Sequence, residues 1–230
     1  MNIFSNPHNK KLSDFLDKTL NNYYDKVVTK NLSINLNKDS IELINANYKK
    51  AVSISVDFLD KKMNSKIKLR LSGKKDIFSK LFPIKNSTLL DCTAGYGRDS
   101  YILRSMGFNV TMIENSPIMS LLLNDALKRL KLSNFKMYHG NSHDYLNHSK
   151  KYYDYIYIDF MFNKLKKNSL SSKNNETLKL ISFQENDKNN IIRLAIKKSN
   201  SRVVVKEPKN SLSNILKPEY TIKTKLLNFN

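Results

Sequence analysis

In the stretch TLLDCTAGYGRDSY, Asp91 stands ahead of two glycines, Gly95 and Gly97, spaced one residue apart, in a chain that has only five glycines. Glycine at such a point permits a tight turn and lets a ligand come close to the backbone. The dinucleotide pattern G-x-G-x-x-G asks for glycine or alanine at position 100, where this chain has Ser100. A carboxylate just before the turn repels a pyrophosphate and attracts an amine. The expected ligand is therefore one with an ammonium-bearing amino-acid end, which S-adenosylmethionine has. The competing reading is a plain strand-to-helix turn with incidental glycines.

Glu114 follows Asp91 by 23 residues and ends an apolar run, FNVTMIE. An acid at that spacing is the expected acceptor for ribose hydroxyls. It supports a nucleoside ligand without choosing between nicotinamide and S-adenosylmethionine; otherwise it is a solvated carboxylate at a strand end. Further on, DFMFN sets Asp159 beside Phe160 and Phe162. An enzyme that methylates an exocyclic base amine needs an acceptor for the amine protons and a flat apolar surface for an unstacked base. Asp159 and the two phenylalanines are candidates, against the plain alternative that the phenylalanines belong to the core. His8, His139, His143 and His148 have no metal-binding spacing, and no metal is expected.

The elements that must hold these residues have a clear rhythm from Asp76 onward. STLLDC, FNVTMIE, FKMYHG, YDYIYIDF and SRVVVKEP are strand signals, and helical segments alternate with them. Gly107 is placed to end the helix GRDSYILRSM, while Ser116 and Pro117 are placed to start the next. The segment NETLKLISFQENDKNNIIRLAIKKSN reads as helix with a break near Asn186, and EYTIKTKLLNF as a last strand or hairpin arm. This pattern predicts an α/β fold, a doubly wound and mostly parallel sheet, with the ligand at the carboxyl ends of the strands. Asp91, Glu114 and Asp159 all fall at such ends, as do HGNSHD and KEP. Residues 1–75 are expected to form a small N-terminal α+β region, and 76–230 the main domain. Residues 10–20 carry a helical apolar face, LSINL, IELIN and AVSISVDFL alternate like strands, and the basic stretch 61–75 reads as a loop or an exposed strand pair.

The chain has 230 residues, 40 Lys and Arg against 20 Asp and Glu, and a net charge of +20. Such a charge points to a polyanionic partner, chiefly nucleic acid, although Lys- and Asn-rich composition is also what an AT-rich genome imposes. Cys92 is the single cysteine, so no internal disulfide and no cysteine-rich zinc site is expected. There is no apolar run of membrane-spanning length, and the first residues lack a signal-peptide core. The reading is a cytoplasmic protein.

From about Val56 to Pro208 the chain resembles the bacterial small-subunit ribosomal RNA guanine-N2 methyltransferases of the J type. The carriers are SVDF at 55–58, DCTAGYGRDSYILRSMGFNVTMIENSPIMSLLLNDAL at 91–127, DFMF at 159–162 and VVVKEP at 203–208. The resemblance implies a class I fold, S-adenosylmethionine as cofactor, and transfer of one methyl group to N2 of a guanosine in 16S RNA, free or in the 30S subunit. By matching motif it implies cofactor contacts from Arg98 and Asp99, from Glu114 and Asn115, from Asn141 and Ser142, and from Asp159. Asp91, Gly95 and Gly97 complete the expected cofactor site; Asp159, Phe160 and Phe162 are the expected catalytic set. Where the family reads D-P-M-F-P, this chain has D-F-M-F-N, so two residues that fix φ are gone from the rim. A non-catalytic RNA-binding protein on a decayed scaffold, a methyltransferase with another substrate and, more distantly, a nicotinamide oxidoreductase are the alternatives.

Overall fold

The structure, a computed structural model, describes residues 2–5, 31–72, 76–130, 132, 134–160, 173–183, 187–208, 217–224 and 227–230. The expected helix at 10–20, Phe162 and the Lys164–Lys167 segment lie outside these residues.

In chain order, the first strands are β1 (Asn2–Ser5), β2 (Leu32–Leu36), β3 (Ile41–Asn45) and β4 (Val52–Ile54). Helices α1 (Lys61–Leu71) and α2 (Ile77–Leu81) follow, then β5 (Thr88–Asp91), α3 (Arg98–Ser105), β6 (Asn109–Glu114) and α4 (Pro117–Leu130). Next come β7 (Phe135–His139), α5 (Ser142–His148), β8 (Tyr153–Asp159), α6 (Lys173–Ile181) and α7 (Lys188–Lys198). The chain ends with β9 (Ser199–Pro208), β10 (Ile222–Lys223) and β11 (Leu227–Phe229).

Contacts divide the chain into two compact units, neither continuous in sequence. The first comprises residues 1–57, 116–131 and 165–183. Its sheet has the order β1-β2-β3-β4, with β2, β3 and β4 antiparallel and β1 added parallel to β2. Strand β2 alternates as its sequence does: Leu32, Ile34 and Leu36 are buried, Ser33 and Asn35 less so. Helices α4 and α6 belong to this unit. Arg129 of α4 pairs with Asp125 at 3.1 Å and with Asp57 at 3.4 Å, and also donates to the Val56 carbonyl. The buried Asn45 amide donates to Thr177 Oγ1 of α6 at 2.8 Å. This grouping differs from the linear division at residue 75, because side chains far apart in sequence hold α4 and α6 to the N-terminal strands.

The second unit comprises residues 58–115, 132–164 and 184–230. Its sheet has the order β10-β11-β9-β8-β5-β6-β7. Strands β5 to β9 are mutually parallel, and β11 runs antiparallel between β9 and β10. The order reverses at β5 and β8, so the switch point lies between them, where ligands bind in such sheets. One face carries Ile156 and Ile158 of β8, packed with Leu146 of α5 and Ile191, Ile192 and Ala195 of α7. The other carries Tyr155 and Tyr157, met edge-on by Phe82 and, for Tyr157, by Phe78 of α2. Tyr153, at the start of β8, also joins the Ile156 core, and the register shift beside it places the extra residue on β9, between Ser199 and Arg202.

The basic segment expected as a loop or strand pair is instead helix α1 over Lys61–Leu71. No glycine or proline falls between 61 and 72. Met63 and Ile67 are spaced four apart and buried, and the Asp60 carboxylate accepts from Met63 N at the helix start. Charge density masked the apolar face that Met63 and Ile67 share. The segment EYTIKTKLLNF, expected as one last strand or hairpin arm, instead holds two short strands, β10 and β11, paired antiparallel with each other.

Candidate active site

The turn after β5 is built on positive backbone angles. Gly95 has φ +52° and Gly97 φ +66°, the latter as N-cap of α3. A Cβ at Gly95 would meet nothing closer than the Thr93 carbonyl at 4.0 Å. Conformation, more than space, selects glycine there. The turn is tied to the next strand, since Gly95 N donates to Glu114 Oε2 at 2.8 Å. Glu114, half-buried at the end of β6, thus meets the glycine turn itself. Asn115 follows, its carbonyl 3.3 Å from His139 Nε2.

Asp91 is 2 % exposed and faces inward. Its Oδ1 accepts from Thr93 N at 3.0 Å, and its Oδ2 from Ser100 Oγ at 2.5 Å. Burial pushes its carboxyl up to about 7, against the pull of the Ser100 and Thr93 hydrogen bonds; the Asp99 and Asp159 charges add to the rise. Asp91 therefore shapes the turn, and Ser100 is its partner. The residue that argued against a pyrophosphate also has a structural task.

Asp99 and Asp159 converge on a third residue that the sequence reading gave no role. Lys206 Nζ, on β9, lies 2.9 Å from Asp99 Oδ2 and 2.7 Å from Asp159 Oδ2. Tyr157 donates its hydroxyl to the same Asp99 oxygen at 2.8 Å, and Asp159 N donates to Thr93 Oγ1 at 2.6 Å. Burial draws the Lys206 amine down, but the two carboxylates outweigh it and the net shift is upward. Burial, followed by the nearby carboxylates, raises the Tyr157 phenol well above its usual range. Lys206 had a sequence signal: a lysine directly after the apolar run VVV, at a strand's carboxyl end. Tyr157 had none, because a tyrosine in YDYIYID reads as a strand former.

The remaining expected residues divide. Asn141 caps α5, its Oδ1 accepting from His143 N at 2.7 Å and Asp144 N at 3.4 Å. Ser142 is buried and donates to the Cys92 carbonyl, linking β7's exit to β5. Arg98 is exposed, with its guanidinium 4.8 Å from the Tyr96 ring centre. Phe160, expected as a stacking surface, is 5 % exposed and belongs to the core with Leu90, Cys92 and Ile158. Its ring is also covered by Lys188 Nζ at 5.0 Å. A base cannot stack on it as it stands.

Among the described residues no group of three His, Cys, Asp or Glu is placed to hold a metal, and no helix is long and apolar enough to cross a membrane. A groove of about 610 Å³ lies elsewhere, along Leu81, Ile192, Val203 and Phe229, and contains none of these site residues.

The donor set suits a cationic nucleoside. Among the described residues, the acids at the ends of β5, β6 and β8 and at the start of α3 outnumber the two cations, Arg98 and Lys206. Excess negative charge surrounds a turn that exposes backbone to a ligand. Fold and site together define an S-adenosylmethionine-dependent methyltransferase. The family model for SAM-dependent methyltransferases matches residues 20–230. The "Ribosomal RNA small subunit methyltransferase J" of Buchnera aphidicola (subsp. Schizaphis graminum) is 32 % identical over 224 residues, 90 % of this chain and 88 % of that protein. The protein of the same name from Coxiella burnetii is 34 % identical over 185 residues, 76 % of this chain and 72 % of its own. The fold matches a SAM-dependent methyltransferase from Neisseria gonorrhoeae with a TM-score of 0.67 and 19 % identity, covering all of this chain and 94 % of the other. The chain belongs to the ribosomal RNA small subunit methyltransferase J family, and its cofactor is S-adenosylmethionine.

Proposed function

We propose that the protein methylates N2 of a guanosine in 16S ribosomal RNA, free or in the 30S subunit, in the cytoplasm. The observation that carries this reading is the position of Asp159: a carboxylate at the end of β8, beside the switch point, held by Lys206 and by Thr93. When bound, the cofactor supplies a methyl group already activated on a sulfonium. The chain's task is therefore positioning. Asp159 accepts hydrogen bonds from the exocyclic amine and aims its nitrogen lone pair at the methyl carbon. The glycine turn, Glu114, Asn115, Arg98, Asp99, Asn141 and Ser142 orient the cofactor. Asp91 shapes the turn from beneath. Phe162 is the remaining candidate for stacking on the base, in place of the buried Phe160. The fold has no covalent intermediate to stabilise.

The charge of +20 supplies the hold on RNA phosphates. Helix α1, with the sequence KKMNSKIKLRL, and residues 1–75 as a whole are the proposed contact region, joined by Lys164–Lys167. Affinity should then fall steeply with salt. The non-catalytic scaffold is not favoured, since the family is one of named methyltransferases.

The test is incubation with labelled cofactor and 16S RNA or 30S particles from a strain lacking the modification, followed by nucleoside analysis. Label in N2-methylguanosine is the expected result. No label at that position, with cofactor binding intact, overturns it.

A further inference from the structure

We propose that Lys206 is a positioning residue for methyl transfer, bridging Asp99 and Asp159 so that the carboxylate facing the target amine stays fixed and ionised. The inference rests on the reading of Asp159 given above.

The geometry starts from strand register. Asp159 and Lys206 are Cα partners across the parallel pair β8 and β9. Neighbours so placed put their side chains together on one face. The ammonium then reaches Asp159 Oδ2 at 2.7 Å and Asp99 Oδ2 at 2.9 Å. The Lys206 side chain is 11 % exposed, that of Asp159 13 % and that of Asp99 24 %. Charge-assisted bonds in such surroundings are strong and directional. The amine is met by Asp99 from α3 and Asp159 from β8, and those two carboxylates are in turn faced by Asp91 from β5 and Tyr157 from β8.

One lysine thus restrains a residue assigned to the cofactor and a residue assigned to the target. An ammonium this close to Asp159 favours carboxylate over carboxylic acid. A paired carboxylate accepts a hydrogen bond well and captures a proton poorly. Asp159 accordingly orients the amine, and the proton released on methylation leaves to solvent. Without Lys206, three carboxyl groups would crowd one site, and their mutual repulsion would favour protonation.

The experiment compares wild type, Lys206→Met and Lys206→Arg by two readouts. The first is the pH profile of methyl transfer. Lys206→Met should lose about 10-fold or more in kcat at the acid end of the profile and regain much of it as pH rises and Asp159 ionises unaided, with KM for the cofactor changing less. Lys206→Arg should retain most of the rate. The second is the ¹³C-carboxyl NMR titration of Asp159, which needs no RNA. In wild type it should titrate below the ordinary aspartate range, and in Lys206→Met at least about one pH unit higher. A merely structural lysine would lower stability and move the titration of Asp159, but it would leave the shape of the pH profile of methyl transfer in place. An unchanged profile in a folded Lys206→Met, or wild-type Asp159 titrating at or above the ordinary range, overturns the proposal. If wild type methylates no RNA, the functional reading fails, while the carboxyl titration still decides what Lys206 does to Asp159.

Discussion

Ser100 Oγ donates to Asp91 Oδ2 at 2.5 Å, and neither residue has appreciable contact with solvent. The pair joins the end of β5 to the first turn of α3, across the glycine turn that gives the site its shape. Removing the donor leaves a buried carboxylate with less compensation. Ser100→Ala should lower stability by about 1–3 kcal/mol, measured by urea unfolding. Ser100→Gly restores the last glycine of the dinucleotide pattern and should still bind no nicotinamide cofactor by calorimetry, because the acids around the turn remain.

Asp91 gives a signed pH dependence. Burial holds its carboxyl at about 7 in the folded protein, against about 3.9 in an unfolded chain. The folded state keeps a proton that the unfolded state loses across that interval. Stability from this group is therefore greatest at acid pH, falls as pH rises from about 4 to about 7, and levels off above. Asp91→Asn carries no charge at any pH. Denaturant midpoints between about pH 5 and about pH 8 should show wild type losing ground against Asp91→Asn. A constant difference across that window would refute the assignment.

Gly97 occupies φ +66° as the cap of α3. Gly97→Ala forces a side chain into the left-handed region and should cost about 1–2 kcal/mol. Binding of S-adenosylhomocysteine should weaken in parallel, as the turn relaxes away from Glu114. Unchanged affinity would separate the turn from the cofactor.

Phe160 is a core residue. Phe160→Ala should lower stability by about 3–5 kcal/mol in thermal or urea unfolding. Phe160→Leu, which keeps an apolar filling but removes the ring, should keep most of the methyl transfer. A stacking surface would behave the opposite way, with a large loss of rate and little loss of stability.

Asp159→Asn keeps the shape and removes the charge. Methyl transfer should fall about 10²-fold in kcat, with a smaller change in KM for RNA. Equal rates for the two proteins would remove Asp159 from the chemistry.

The sequence by itself determined the strand and helix rhythm from Thr88 to Pro208, because apolar periodicity and caps such as Ser116 act within a few residues of chain. It determined the glycine turn and the acids at strand ends, since their spacing follows from the βα repeat, and the DCTAGYGRD motif marked the family. Tertiary structure decided which way those side chains face. Asp91 turned inward to Ser100, and Phe160 sank into the core beside Cys92, since the parity of β8 and the packing of α7 bury that side of its end. Lys206 met Asp159 only because β8 and β9, forty-seven residues apart at that pair, align in register. Helix α1 formed under a run of charge because Met63 and Ile67 found a place to be buried. Sequence spacing fixes local geometry, but the partner of a buried charge is a long-range matter that only the folded chain sets.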